Sequence, residues 1–310
     1  MAELKVLIFL AVIGLAILLC ARFRVMPFLA LLIAALLFGF GRGADPQWIG
    51  KFFNTGFGQT IAFGGLSIVA GAMVAALGQA SGAVEAWQAR LGDAKARIFA
   101  LVLAFSAGFG GTPIGALAAF QPVLTLVQRG RTRIALQGTA IIHAVQGTLI
   151  PAPLPIAAIA ILEADWKRAL LFGIPLAAIQ IVVSLWLTRN APEGTVPLPA
   201  APAEPARDWA RRGFMLAVIT LILLVVFHAL GQIPAEPLGG GSTRERLFGS
   251  GRPLILFFFA LGIALIATGR RAGVMLSENG PLAEAARASA GVVLAVGAAG
   301  GLQMVAHSDG

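Results

Sequence analysis

Residues 108–115 read GFGGTPIG and residues 146–155 read QGTLIPAPLP, and both stretches lie inside long apolar runs. Four glycines and a proline within the first stretch cannot continue an α-helix. The second stretch contains Pro151, Pro153 and Pro155, a spacing that predicts extended backbone. In lipid, the backbone groups freed at such breaks are tolerated only where protein or a water-filled cavity satisfies them. A pair of broken spans is typical of secondary transporters.

The composition predicts a membrane protein around these breaks. Of the 310 residues, 58% are hydrophobic and 12% are charged, against about 45–50% apolar and about 25% charged in soluble domains. Runs such as 4–21 and 213–230 are long enough, or nearly so, to cross a hydrocarbon core of about 30 Å. The fold class predicted is therefore an all-α integral membrane protein.

The apolar runs and the loops between them predict the order of the spans. Spans are expected near 4–21, 26–41, 60–82, 166–188, 213–231 and 253–269, with a Gly/Ala-rich span beginning near Ala290. Residues 97–128 are predicted to form a re-entrant hairpin, and 134–162 a broken span. The segment 189–212, rich in Pro and Ala, reads as a linker.

The cations predict the orientation of the chain. If 97–128 enters and leaves on one side, 15 of the 23 Lys and Arg residues fall on that side, which the positive-inside rule assigns to the cytoplasm. The N-terminus is then expected outside. These 15 residues are Arg22, Arg24, Arg90, Lys95, Arg97, Arg129, Arg131, Arg133, Arg189, Arg207, Arg211, Arg212, Arg270, Arg271 and Arg287.

An internal repeat follows from this topology. The first three spans and the three that begin near 213, 253 and 290 run in opposite directions, and their third members share Gly/Ala-rich sequence. Inverted repeats are a signature of secondary transporters. The prediction is a first half over 1–188, a linker over 189–212 and a partial second half over 213–310. The second half contains no segment that corresponds to residues 87–188 of the first half. The repeat is therefore incomplete, and a fragment of a longer protein is expected.

The broken stretches supply the candidate binding residues. Half-helix ends can hold an ion or a carboxylate, and hydroxyl and amide side chains add polar contacts. The alternative is a pair of packing kinks with small residues at helix crossings. The predicted substrate-binding residues are Gly110, Gly111, Thr112, Gly115, Gln146, Gly147, Thr148, Gly300 and Gly301.

His143 is the candidate for proton coupling, because ionisable residues inside spans are functional candidates by default. It lies one helical turn before the second break. The alternative is a neutral histidine bonded to a neighbouring carbonyl, and the sequence leaves both open. His228 lies near the end of a span and is expected at the interface.

Several function classes are excluded or disfavoured. The sequence contains no HExxH, no GxSxG with triad partners, no P-loop and no metal-ligand cluster, so neither an enzyme nor a resident cofactor or metal is expected. The net charge of +9 arises from loops between spans and does not indicate nucleic-acid binding. The expected location is the bacterial inner membrane, crossed several times.

The sequence resembles the gluconate permease family of proton symporters, within the ion-transporter superfamily. The resemblance runs collinearly from Arg22 to the last residue. It is carried by Arg22-Phe23-Arg24 with Pro27-Phe28, Gly56-Phe57-Gly58-Gln59-Thr60, Ser81-Gly82-Ala83, Gly108 with Pro122, Gly147 with Pro151, Pro153 and Pro155, and Gly297-Ala298-Ala299-Gly300-Gly301 with Ser308.

The resemblance implies an elevator-type fold with two re-entrant hairpins, uptake of a sugar acid with protons, a longer chain and a homodimer. The sequence departs from the family pattern at three positions. Ile114 stands where the family carries an acidic residue, and Gln146 and Ala152 stand where it carries histidines. These departures leave open whether the coupling ion is H⁺, with His143 as carrier, or Na⁺ held by backbone carbonyls.

The function predicted is a secondary active transporter for gluconate or a related small organic anion, coupled to H⁺ or Na⁺. The alternative is a non-transporting membrane protein, either a truncated remnant or a structural or interaction partner.

Overall fold

The computed structural model describes residues 2–110, 113–127, 130–150, 152–191, 208–232, 253–266 and 272–308. The regular elements within these ranges are helical, which confirms the predicted α-helical class. They are α1 (Ala2–Ala21), α2 (Pro27–Gly41), α3 (Pro46–Thr60), a π-helical turn (Ile61–Gly65), α4 (Leu66–Ala80), α5 (Ala83–Ala107), α6 (Pro113–Leu124), α7 (Arg131–Thr148), α8 (Pro153–Leu162), α9 (Trp166–Leu187), α10 (Asp208–Gln232), α11 (Pro253–Ile266), α12 (Ala272–Met275) and α13 (Pro281–His307).

The chain divides into two compact units. Unit 1 comprises 1–66 and 287–310, and unit 2 comprises 67–286. The two compact units are not the predicted halves 1–188 and 213–310, which were defined by an internal symmetry. The division into units does not test that symmetry, so the inverted repeat stays a prediction. Most of the predicted linker 189–212 lies outside the described residues, and α10 begins within it, at Asp208.

Three described helices are long and apolar enough to cross a membrane: α9, α10 over 208–227, and α13. The pair α4 and α5 also qualifies as one broken span, bent by 87°. Helix α9 coincides with the span predicted at 166–188, and the Asp165 side chain caps it by accepting from the backbone N–H of Arg168 at 2.9 Å. Helix α13 begins at Pro281, earlier than the span expected from Ala290.

Helix α3 in unit 1 was not predicted, because its many small and polar residues kept it below the hydropathy of a span. Its start nevertheless carries a local signal. The Asp45 carboxylate accepts from the backbone N–H of Gln47 at 2.7 Å, and Pro46 occupies the first helical position. Both choices satisfy or remove N–H groups that lack a partner in the first turn.

Glycines let α3 and α13 approach closely within unit 1. A Cβ on Gly56 would lie 2.2 Å from the carbonyl oxygen of Gly300, and one on Gly301 would lie 2.5 Å from the Phe53 ring. Such contacts exclude any side chain at these positions. Close approach through small residues is the usual way in which helices pack in lipid.

Arg42 joins the end of α2 to the end of α13. Its guanidinium donates to the Ser308 carbonyl and lies 4.3 Å from the centroid of the Trp48 ring and 5.7 Å from that of Phe38. A cation at a helix C-terminus interacts favourably with the helix dipole. The contact holds the last turn of α13 against unit 1.

In unit 2, helix α10 packs against α5, α6 and α11, and α7 packs against α5, α6 and α9. Buried phenylalanines fill the crossings where glycine leaves room. A Cβ on Gly138 would lie 2.2 Å from Phe120 Cζ, and one on Gly78 would lie 2.3 Å from Phe214 Cε2. Phe120 and Phe214 are among the largest fully buried side chains in the described core.

Helix α5 contains a kink at Gly92, where φ is +69° and ψ is 163°. Residues 83–91 therefore form a separate helical segment, which lies between the predicted span 60–82 and the predicted hairpin 97–128. Trp87 in this segment donates from Nε1 to the Arg211 carbonyl at 2.8 Å, and Gln88 donates from Nε2 to the Thr125 carbonyl at 2.8 Å. The segment thus ties the start of α10 to the end of α6.

Arg97, at which the predicted hairpin 97–128 begins, lies close to Gly130, two residues beyond its predicted end. A Cβ on Gly130, which precedes α7, would lie 3.6 Å from Nη2 of Arg97 near the start of the second part of α5. Arg133 in α7 donates from Nη1 to the carbonyl of Arg189, after α9, at 3.5 Å. Arginines from three segments thus lie at one end of unit 2. The orientation predicted from the cations and the re-entrant assignment stay predictions.

The prediction that the Pro-rich stretch is extended throughout was wrong. Ala152, with φ −63° and ψ 147°, has extended backbone, but α8 begins at the next residue, Pro153; Pro151 lies outside the described residues. The first N–H groups of a helix have no intrahelical partner, so proline loses nothing there. Pro153 and Pro155 are therefore compatible with the first turn of α8.

We expect Gly56→Ala to destabilise the protein, because the added methyl group would overlap the backbone of Gly300. Overpacking of this kind costs about 1–3 kcal/mol. The control is Gly58→Ala on the same helix, where a Cβ meets nothing within 4 Å and a gain of about 0.5–1 kcal/mol is expected. Thermal unfolding in detergent micelles should lower the Tm of Gly56→Ala only; equal Tm values for the two variants would contradict the packing.

Candidate functional site

The first break follows α5. The backbone N–H of Gly108 donates to the Ala104 carbonyl at 2.9 Å, and that of Gly110 donates to the Ala107 carbonyl at 2.8 Å, so the chain tightens into a turn as the helix ends. Gly111 and Thr112 lie outside the described residues. Helix α6 begins directly afterwards at Pro113.

The second break separates α7 from α8 and contacts the first. Gln146, in the last turn of α7, is 6% exposed and donates from its side-chain Nε2 to the carbonyl oxygen of Gly110 at 3.1 Å. The structure thus joins the two breaks, which are far apart in sequence, by a buried hydrogen bond. This contact is the geometric centre of the candidate site.

Glycines at the first break let the neighbouring helices reach it. A Cβ on Gly108 would lie 2.7 Å from Val145 Cβ of α7, and one on Gly110 would lie 2.0 Å from Val225 Cγ1 of α10. Glycine at these two positions is therefore required by packing. The turn at Gly108–Gly110 is thus packed between α7 and α10. The sequence analysis did not predict Val225 as a neighbour of this turn.

The remaining described residues that were predicted to bind substrate at the breaks are Thr148, Gly147 and Gly115, and they differ in their contacts and burial. The Thr148 hydroxyl donates to the Ala144 carbonyl at 2.6 Å, and the Thr148 carbonyl lies so close to α9 that a Cβ on Gly173 would be 2.3 Å from it. Gly147 is exposed, with open space beside it, and Gly115 is buried in α6.

Gly300 and Gly301 lie in unit 1, where they pack against α3. A Cβ on Gly300 would be 1.8 Å from the Thr60 hydroxyl oxygen. The described contacts of these two glycines are therefore those of a helix crossing, and their role in substrate binding stays a prediction.

His143 is exposed on α7, and its Nδ1 lies 2.8 Å from the Thr139 carbonyl oxygen. A carbonyl only accepts, so this bond requires the proton on Nδ1 and leaves Nε2 as the nitrogen that can take up a second proton. This hydrogen bond to a neighbouring carbonyl is the alternative that the sequence analysis gave for His143. It does not exclude proton coupling, because a histidine can form the bond and still carry a proton. The side chain of His228 lies outside the described residues.

Neither break contains an acidic residue in its own sequence. Asp93 is the only acidic residue between Glu85 and Glu163 in the sequence, so neither break has a carboxylate nearby along the chain. Among the described residues, no group of three His, Cys, Asp or Glu could hold a metal ion. Helix ends, amides and hydroxyls without a carboxylate suit an anion, because a fixed negative charge would repel it.

A cleft of about 350 Å³ beside the first break was not predicted. Ser106 contributes a hydroxyl to it, but that hydroxyl donates to the Val102 carbonyl at 3.1 Å. The remaining wall is apolar and comes from α5 and α10: Leu103, Phe105, Phe109, Ile219, Ile222, Leu223 and Val226. A polar anion would lose its hydration there without replacement hydrogen bonds, so the cleft does not suit one.

The comparisons with known proteins agree with this architecture. A family model described as GntP family permease matches residues 4–310. The chain belongs to the GntP permease family. No solved structure matches the chain.

Curated relatives of this permease include three bacterial proteins. It is 27% identical to a gluconate permease of Pseudomonas aeruginosa, over 96% of this chain and 70% of that protein. It is 27% identical to the Gnt-II system L-idonate transporter of Escherichia coli K12, over 89% of this chain and 65% of that protein. It is 26% identical to the inner membrane permease YgbN of the same organism, over 92% and 68%. The chain thus spans about two-thirds of the length of these relatives.

Family membership confirms the resemblance seen in the sequence. The relatives are named as permeases or transporters, and one as an inner-membrane protein, so the chain is a multi-pass inner-membrane permease and not an enzyme. The departures from the family pattern expected at Ile114, Gln146 and Ala152 stay predictions. Ala152 is fully buried, and a histidine there would need room that the neighbouring side chains now fill.

We expect Gln146→Leu to loosen the first break, because the Gly110 carbonyl would lose its buried donor. An unsatisfied buried polar group costs about 1–3 kcal/mol. Hydrogen–deuterium exchange of peptides covering 105–115 should be faster than in the wild type. Gln137→Leu, a half-buried glutamine on the same helix, should leave exchange of that peptide unchanged.

A second variant separates the hydrogen bond from side-chain packing. In Gln146→Glu a protonated carboxyl can donate to the carbonyl, whereas an ionised one only accepts and repels it. Protection relative to the wild type at the same pH should therefore be retained at low pH and lost as pH rises. Protection that is independent of pH in this variant would contradict the assigned bond.

Proposed function

We propose that this permease is a secondary active transporter of gluconate or a closely related sugar-acid anion, coupled to a cation. Its family membership and the names of two relatives, a gluconate permease and an L-idonate transporter, support the substrate class. The observation that carries the proposal is the buried Gln146–Gly110 hydrogen bond, which joins two helix breaks in a segment without acidic residues.

A sugar acid offers a carboxylate and several hydroxyls, and the joined breaks offer matching groups. We assign the carboxylate to the start of α6 and the residues Gly110–Gly115, where the helix dipole favours negative charge. Gln146 uses one amide hydrogen on Gly110 and retains a second hydrogen and its carbonyl oxygen for a substrate hydroxyl. Thr148 donates its hydroxyl hydrogen to α7, so towards substrate it acts as an acceptor.

Helix α8 is the weaker of the two candidate ends. Pro153 and Pro155 remove two of the N–H groups that a first turn would offer, and Leu154 retains one. This end therefore contributes its dipole more than hydrogen bonds, and we assign carboxylate binding to the α6 end.

The coupling cation is proposed to be H⁺, taken up at Nε2 of His143, with Na⁺ held by freed backbone carbonyls as the alternative. The absence of acidic residues between Asp93 and Glu163 leaves His143 as the titratable side chain nearest in sequence to the breaks. An elevator motion, a re-entrant assignment of 97–128, an inverted repeat and a homodimer belong to the same proposal, by analogy with the family. A non-transporting remnant is not favoured, because the family match covers residues 4–310.

Transport is tested in proteoliposomes that contain the full chain. We expect saturable uptake of labelled gluconate, inhibited by other sugar acids such as L-idonate and not by neutral glucose. Gln146→Leu should raise KM about tenfold, the loss expected when a hydrogen bond to a charged or polyhydroxylated ligand is removed. Gln137→Leu is the matched control. Absence of uptake for every carboxylate in a panel would overturn the proposal.

The coupling ion is tested by imposing gradients separately. If His143 carries the proton, His143→Gln should abolish the stimulation of uptake by an inward pH gradient and retain exchange of labelled for unlabelled substrate. His307→Gln, an exposed histidine at the end of α13, should retain both. Stimulation by a sodium gradient, unchanged in His143→Gln, would identify Na⁺ instead; uptake insensitive to both gradients would exclude cation coupling.

A further inference from the structure

Gly110, in the turn at the first break, has a neighbour at each of its backbone groups. Its N–H donates to the Ala107 carbonyl at 2.8 Å, and its carbonyl accepts from the side-chain amide of Gln146 at 3.1 Å. Its Cα faces Val225, because a Cβ built on Gly110 would lie only 2.0 Å from Val225 Cγ1. The three neighbours belong to α5, α7 and α10, so Gly110 is held from three helices.

Val225 is the neighbour that comes from a helix that ends at neither break. It lies in α10, which packs against both α5 and α6, the helices before and after the first break. The Val225 side chain is 3% exposed and belongs to the core of unit 2. A valine in a helix has one strongly preferred χ1 rotamer, and the close packing around it prevents a change. Its methyl group is therefore a fixed surface against which Gly110 packs.

Both groups assigned to the sugar acid depend on the position of Gly110. Helix α6, whose start is assigned to the carboxylate, begins three residues later at Pro113. Gln146, whose second amide hydrogen is assigned to a substrate hydroxyl, is anchored through its first hydrogen on the Gly110 carbonyl. A ligand held by two groups loses affinity when the distance between them changes, and in enzymes a displacement of about 1 Å can cost about a hundredfold in rate. A shift of Gly110 would therefore weaken both contacts together.

We propose that Val225 is a positioning residue of the substrate site. Its side chain holds Gly110 where the start of α6 and the amide of Gln146 reach one sugar acid, and it acts through Gly110 without touching the substrate. Helix α10, which follows the predicted linker, thereby contributes to a site formed at the ends of other helices. The substrate in this inference rests on the proposed function, whereas the contact between Val225 and Gly110 can be tested without substrate.

The test compares two valines of α10 in the full chain. Val225→Ala and Val218→Ala remove the same side-chain volume from buried positions, 3% and 0% exposed, and Val218 lies about 10 Å earlier along the helix. Both variants should lower the Tm in detergent by similar amounts, because similar cavities are left. Only Val225→Ala should speed hydrogen–deuterium exchange of peptides covering 105–115. Only this variant should also raise the KM for labelled gluconate, by at least about threefold, at an unchanged maximal rate.

A conservative variant at the same position should restore both properties. Val225→Thr keeps the shape of the side chain, and its hydroxyl can bond the carbonyl of Leu221, four residues earlier in α10. It should therefore keep the slow exchange of 105–115 and the wild-type KM. If Val225→Ala does not fold, Val225→Cys and the matched Val218→Cys remove one branch of the side chain only, and Val225→Cys alone should show the same two changes to a smaller extent.

A double variant shows whether Val225 and Gln146 act through the same residue. If both hold Gly110, Gln146→Leu already frees the turn. Adding Val225→Ala should then raise KM by less than the product of the two separate fold-changes, because residues that share a partner are not additive. Val218→Ala should leave the KM of Gln146→Leu unchanged, since it leaves the contacts of Gly110 in place.

Equal exchange of 105–115 in Val225→Ala and Val218→Ala would overturn the proposal, because Val225 would then contribute core packing alone. An unchanged KM in Val225→Ala despite faster exchange would also overturn it, as would fold-changes that multiply fully with that of Gln146→Leu. Absence of uptake by the wild type for every carboxylate would overturn the proposed function. Faster exchange in Val225→Ala would in that case report packing at the turn without a role in transport, so the two failures are distinguishable.

Discussion

Backbone polar groups that leave a helix inside a membrane must find a partner, and this constraint accounts for the centre of the structure. Gly110 lies in the turn that follows α5, and the Gln146 side chain donates to its carbonyl at 3.1 Å. A glutamine is well suited to this, because its amide donates without carrying a charge that lipid would penalise. Two breaks that would each be unstable alone are thereby stabilised by each other.

The same constraint explains where glycine is needed. Pro122 in α6 removes the N–H that would have bonded the Ala118 carbonyl, four residues earlier. That carbonyl faces Gly71 of α4, where a Cβ would lie only 2.1 Å from the oxygen. A Cα–H group is a weak donor, and only glycine brings one so close. The proline in α6 and the glycine in α4 therefore act together, because the carbonyl freed by Pro122 is covered by the backbone of Gly71.

The features that composition and local chemistry determine could be predicted from the sequence. Membrane-spanning helices follow from apolar runs, and both breaks follow from Gly and Pro, since these residues act on the backbone where they stand. Helix α3 was missed because its hydropathy is low, although Asp45 and Pro46 carry the start signal. The extended stretch was predicted wrongly because proline spacing alone does not distinguish extended backbone from a first helical turn.

The contacts of the site could not be predicted, because they depend on tertiary packing. Nothing in the sequence says that Gln146 reaches Gly110 or that Val225 covers the same turn, since many helix arrangements would satisfy the same pattern. Gly300 is a further example. Its role in substrate binding stays a prediction, and the contact that the structure adds is a helix crossing, in which a Cβ on Gly300 would lie 1.8 Å from the Thr60 hydroxyl oxygen. Glycine motifs of this kind indicate that another group approaches the helix backbone closely, but they do not identify that group as a helix or a ligand.

Helix α7 connects the two ends of unit 2 and shows why the central hydrogen bond matters. At about 1.5 Å per residue, Gln146 lies about 22 Å along the helix from Arg131, and the hydrocarbon core is about 30 Å thick. If Arg131, the first residue of α7, lies at the interface, Gln146 is within the core even in an untilted helix, and a tilt keeps it there. A free carbonyl at that depth costs several kcal/mol. The bond to Gly110 is therefore formed where water is scarce, and at that depth the Gly110 carbonyl depends on Gln146 for its donor.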